Sequence, residues 1–97
     1  MIQVVESEFK RDGVMIGYVK NGDAIYNSQG KERGYVSGND IYDASGKKVA
    51  WVEGDYVKFE NETSYGSQGI RLEDNTKEVF GGAISDVLRA AARIFLG

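Results

Sequence analysis

The 97-residue chain contains no cysteine and no histidine. The first absence excludes a disulfide framework and any thiolate metal site. The second removes the commonest general base and the commonest transition-metal ligand. Nucleophilic triads that need either residue are excluded with them. Proline is also missing, while glycine occurs thirteen times, so tight turns must rest on glycine. No apolar run reaches the roughly 18–20 residues of a membrane span. The opening stretch, MIQVVESEFKRDG, lacks the long apolar segment of a secretory signal, which makes the cytoplasm the expected location. An excess of basic residues is lacking too: the net charge is −3 and the pI about 4.9, so nucleic acid is not expected as a partner.

What is present is repetition. IYNSQGKERGYV, at 25–36, is followed by IYDASGKKVAWV, at 41–52. Aligned on Tyr-x-x-x-Gly, a third copy lies upstream in FKRDGVMIGYV (9–19), with Phe9 set against Tyr26 and Tyr42, and Gly13 against Gly30 and Gly46. A fourth lies downstream in YGSQGIRL (65–72), after an insertion around Tyr56 to Ser64. Each unit reads as a β-hairpin. Asn27-Ser28-Gln29-Gly30 and Asp43-Ala44-Ser45-Gly46 carry the type I turn signature, with the final glycine suited to a G1 bulge. In the second strand of each unit, Gly17, Gly34 and Ala50 share a face with Val19, Val36 and Val52, while Tyr18, Tyr35 and Trp51 face the other way. Small residues repeated at one level of a sheet mark close approach by another element.

The last segment, FGGAISDVLRAAARIFLG (80–97), is alanine-rich and predicts an apolar α-helix from about 83 to 96. Ser85 or Asp86 can cap it, although apolar Ala83 and Ile84 place its start a turn earlier. Combining the halves predicts one domain over 1–97. It is a mainly β, antiparallel meander of about four hairpins, forming a shallow barrel with quasi four-fold repeats closed by the helix. Ala90, Ala91 and Ala92 are expected to approach Gly17, Gly34 and Ala50, with Ile84, Val87, Leu88, Ile94 and Phe95 filling the wider levels.

Four Tyr/Phe-x-x-x-Gly hairpins followed by a short apolar helix resemble the bacterial four-fold β-flower domain, in which hairpin petals surround a shallow barrel. The resemblance rests on 25–36 and 41–52, with weaker support from 9–19 and 65–72. The general plan is similar to the tubby C-terminal domain, a barrel around a hydrophobic helix that binds phosphoinositide headgroups. The resemblance offers no catalytic residues to carry over. Wall-associated YD repeats share the Tyr42-Asp43 pair and the glycine three residues on, but they occur in long extracellular arrays.

The chemistry-bearing residues are few. The acidic side chains fall mostly in turns or on alternating strand positions, as solvated surface does, and no carboxylate pair stands out. Glu73-Asp74-Asn75 has oxygen ligands but lacks EF-hand spacing and reads as a polar loop. Tyr18, Tyr35 and Trp51 can form a stacking platform for bases or sugars, or simply pack across petals. Arg89 and Arg93, four apart on the helix, together with Lys31, Lys47 and Lys48 make a candidate rim for an anion or lipid headgroup. The expected function is a non-enzymatic binding or interaction module without cofactor or metal, cytoplasmic or attached to a membrane surface. Its expected partner is a lipid headgroup, a peptide or protein, or another copy of the chain. The alternatives are a structural or assembly role and, less favoured, a small carboxylate-dependent enzyme. Functional residues are expected at the rims and in the insertion at 56–64, where the repeat fails.

Overall fold

The computed structural model describes residues 2–5, 7–60, 69–77, 79–80 and 84–97. Among the described residues ten strands form a single sheet: β1 (Ile2–Val5), β2 (Glu8–Arg11), β3 (Val14–Lys20), β4 (Ala24–Asn27), β5 (Glu32–Ser37), β6 (Asp40–Asp43), β7 (Lys48–Glu53), β8 (Tyr56–Phe59), β9 (Ile70–Arg71) and β10 (Val79–Phe80). A short helix α1 (Leu72–Thr76) joins β9 to β10, and α2 (Asp86–Leu96) follows. From β1 to β9 each strand pairs antiparallel with the next, and β10 adds beside β1 in parallel. The two sheet edges are thus β9 and β10, with only residues 72–78 between them in the chain.

The three hairpins β2–β3, β4–β5 and β6–β7 share one construction. Each carries a bulge at the same place, between Phe9 and Lys10, Ile25 and Tyr26, and Ile41 and Tyr42. A bulge bends its strand and increases local twist, and three of them in phase curl the sheet. The residue before each bulge faces inward and is fully buried: Phe9, Ile25 and Ile41, at intervals of sixteen, and Val57 on β8 continues the series. Phe9 therefore occupies the place of Ile25 rather than of Tyr26, which shifts the first unit by one residue from its Tyr-x-x-x-Gly alignment. The same interval makes β8 the first strand of the fourth petal, so Tyr56–Phe59 belongs to the repeat. Residues 61–68, which hold most of the downstream Tyr65–Gly69 match, lie outside the described residues.

The turns follow their sequences. In the second and third petals the Gly30 and Gly46 N–H groups donate to the Asn27 and Asp43 carbonyls at 3.0 Å, and both glycines take positive φ. This is the type I turn with a G1 bulge that the spacing predicts. The first petal differs. Asp12 and Gly13 both have positive φ, giving the two-residue Asp-Gly turn that matches strand twist directly.

Helix α2 starts at Asp86, not at Ala83. Ser85 caps it, its Oγ accepting from the Leu88 N–H at 3.3 Å. Ala90, Ala91 and Ala92 are all fully buried. Three consecutive helical residues together span about 200° of the circumference, so the sheet and α1 between them cover more than half of the helix. Ala90 and Ala91 sit in one apolar cluster with Ile25, Val36, Ile41 and Val57, and Ala92 in a second with Ile2, Val4, Phe9 and Val79. The glycines meet a different part of the helix than the alanines. A Cβ on Gly17 would lie 2.7 Å from the Leu96 side chain, and one on Gly34 2.5 Å from the Phe95 ring. The sheet leaves out side chains there to admit Phe95 and Leu96 of the last helical turn.

The expected barrel is therefore an open curl. Among the described residues no ladder joins β9 to β10; the gap is bridged by α1, which packs against α2. The physical reason lies in the fourth petal. Its second strand, β9, has two residues where β5 and β7 have six each, too few to carry the sheet onward.

Candidate functional site

On the outer face, adjacent petals are joined by stacked rings. Tyr18 lies against Tyr26 with centroids 5.3 Å apart, and Tyr35 against Tyr42 at 5.1 Å, both pairs nearly parallel. These are the directly opposed residues of β3–β4 and β5–β6. Each ring of a pair covers one face of the other, as cross-petal packing requires. The next pair in the series replaces the second ring by a lysine, since Trp51 opposes Lys58.

The five candidate rim cations are spread over separate places. Lys31 lines a groove with Arg33, Asp43 and Phe95, whereas Lys47 and Lys48 line another with Val49 and Glu60. Lys48 is further engaged at 3.4 Å by Asp40, with its Nζ 4.9 Å from the centre of the Trp51 ring. Arg89 donates to the Val79 carbonyl at 3.1 Å, tying α2 to β10. Arg93 lies in a third cleft and holds an interaction of its own within the molecule. Lys47 and Lys48 line the same groove.

The carboxylates with shifted acidity serve turns and pairs. Asp43 accepts from the Ser45 hydroxyl at 2.6 Å and from the Ser45 and Lys47 N–H groups at 2.9 and 3.0 Å. The hydroxyl first, then the Lys47 amide, hold its pKa below the ordinary 3.8. Glu53 is likewise lowered, chiefly by the Lys58 ammonium that donates to it. Both shifts favour the charged form, the opposite of what a general acid at neutral pH requires. Among the described residues no group of three or more acidic side chains is placed to hold a metal ion.

A further cleft lies at the seam. It has a volume of about 390 Å³ and opens between β8, β9, α1 and the last turn of α2. Phe59, Ile70 and Ile94 give it apolar walls; Asp74, Asn75 and Arg93 supply polar groups. Phe59 stands where the second and third petals carry Asn27 and Asp43, the residues that cap their turns. The repeat position that elsewhere closes a hairpin here presents a half-buried ring to the cleft and the core.

Asn75 is the unusual member. Glu73-Asp74-Asn75 forms part of α1 rather than a loop, and the helix turns Asn75 inward until it is 8% exposed. Its Oδ1 is sealed from solvent and has no hydrogen-bond partner among the described residues. Leaving a buried acceptor unpaired costs about 1–3 kcal/mol. Sequence reasoning noted Asn75 only as a polar loop residue. A five-residue helix with Leu72 as its one apolar residue offers no periodic signal that could have found it.

These features agree with what comparison with known proteins gives. The family described as 4-fold beta flower protein matches residues 6–66. The chain belongs to that family. The description names a fold and no activity, and the match covers the repeated petals. Of the described residues lining the seam cleft, only Phe59 falls within it. Searches for relatives among curated proteins and among solved structures find no match. Among the described residues no helix is long and apolar enough to cross a membrane.

Proposed function

We propose that this 4-fold beta flower protein is a non-enzymatic binding module whose ligand site is the seam cleft. The observation that carries the reading is the orphaned Asn75 Oδ1 at the wall of a cleft within the usual size range of small-molecule sites. A group that weakens the empty protein is retained where something else benefits from it, and binding sites are the usual place for such a cost. The residue types support a binding role over catalysis, since histidine and cysteine are absent and the shifted carboxylates are committed to turn and ion-pair contacts. Burial of Ala90–Ala92 takes away the apolar helix face on which an assembly role would draw. Scattering of the basic residues and a net charge of −3 weigh against an anionic lipid surface.

The test is Asn75→Leu, a near-isosteric change that removes the unpaired acceptor. The purified variant should melt higher than the parent by several degrees, as expected for recovering about 1–3 kcal/mol in a small domain. A variant that melts lower would mean that Asn75 holds the fold, and the reading would fail.

A further inference from the structure

We infer that the seam cleft takes a cationic hydrogen-bond donor on a slim apolar stem: an alkyl-ammonium, whether a free amine or the side chain of a lysine. The inference rests on the seam being a ligand site and adds the chemistry of the ligand. Among the described residues, the polar groups of the cleft left without an answer are acceptors. Asn75 Oδ1 has no donor, and Asp74 has an exposed carboxylate without an ion-pair partner among the described residues. Ile94 and Gly97 place the carboxyl end of α2 at the same cleft. The final carbonyls of a helix lack intrahelical donors and carry the negative end of its dipole. Arg93, the cation of the cleft, already holds an interaction within the molecule.

Shape restricts the ligand further. The apolar walls of Phe59, Ile70 and Ile94 suit a methylene stem. Asn75 Oδ1 is closed to water. A ligand therefore reaches it by parting the wall, where Phe59 and Ile94 are only partly buried. A chain of net charge −3 also favours approach by a cation over an anion.

The experiment titrates the ¹⁵N-labelled full chain with four probes: n-pentylamine, N-acetyl-lysine methylamide, pentan-1-ol and pentanoate. The two amines are expected to shift the backbone amides of Ile70, Asn75 and Ile94 saturably, with pentanol and pentanoate at least about tenfold weaker. Preference for n-pentylamine or for the lysine derivative identifies the source as a free amine or a peptide, and either result supports the inference. Asp74→Asn should weaken amine binding several-fold, and Asn75→Leu should abolish it while the rest of the spectrum stays in place. Pentanol or pentanoate binding as tightly as the amines at these amides would overturn the ligand class but leave the seam as a site. No shift at these amides from any probe would overturn the site itself.

Discussion

The petals and the seam are made from the same kind of chain but differ in how completely their polar groups are answered. In the second and third petals the inward residues, the tyrosines and the turn acceptors have internal partners. The inward residue meets α2, the tyrosines stack in pairs, and the turn acceptors Asn27 and Asp43 each take backbone N–H groups. At the seam the sheet stops two residues into β9, a phenylalanine replaces the turn acceptor, and a buried amide oxygen is left over. Repetition solves the packing problem once and copies it, and the cleft opens where copying ends.

The largest effect should come from the element both regions share. Ala91 is fully buried on α2 between the petals' inward residues. Ala91→Glu places a carboxylate there without a partner, at a cost of several kcal/mol against the 5–15 kcal/mol typical of a whole domain. Circular dichroism should show no cooperative thermal transition. A folded monomer carrying the change would contradict the wrapped helix and with it the comparison.

Breaking the petals alone calls for a smaller change. Gly34→Ala puts a Cβ against the Phe95 ring and the Tyr42 carbonyl, and overpacking of this kind costs about 1–3 kcal/mol. Urea denaturation should show the midpoint fall, and the loss should shrink when Phe95→Leu relieves the contact. The equivalent position in the third petal is Ala50, which already carries its Cβ, so Ala50→Gly should also destabilise. One small substitution in a petal thus lowers stability, whereas Asn75→Leu at the seam raises it. If both changed stability in the same direction, the distinction between satisfied petals and an unsatisfied seam would be lost.

Legibility in the sequence follows the same division. The G1-bulge glycines Gly30 and Gly46, the inward Gly17, Gly34 and Ala50, and the buried alanine run of α2 were all readable, because each obeys a short-range rule of turn chemistry or periodicity. Phe9 was misplaced by one residue because its aromatic ring suggested a match to Tyr26, while the two-residue Asp12-Gly13 turn shifts the register. The sixteen-residue series Phe9, Ile25, Ile41, Val57 shows the fourth petal beginning at β8, a fact that Lys58 and Phe59 conceal by replacing the tyrosine and the turn acceptor. The basic residues were legible as charge but not as geometry, since Lys31, Lys47 and Lys48 come from two hairpins and Arg89 and Arg93 from α2. Asn75 was hidden for a further reason: a five-residue helix has too short a period to reveal which side will be buried.

The smallest predicted effect separates one petal from the next. Asn27 and Asp43 occupy the same turn position and accept the same pair of backbone N–H groups, but only Asp43 can titrate. Hydrogen bonding from Ser45 and Lys47 holds the Asp43 pKa in the folded chain below the ordinary 3.8. A lowered folded value means that the carboxylate stabilises the fold above the unfolded pKa, and that this contribution is lost as pH falls through the folded value. Thermal melts of parent and Asp43→Asn across this range should therefore differ most near neutrality and converge below about pH 4. The group is fully exposed, so the difference is a small shift in melting temperature rather than a change of fold. Asn27→Asp should do the reverse, adding a pH-dependent gain to a turn that has none. A gap between parent and Asp43→Asn that stays constant from neutral to acid pH would show that the two acceptors act only through shape, and that the third petal owes nothing to its charge.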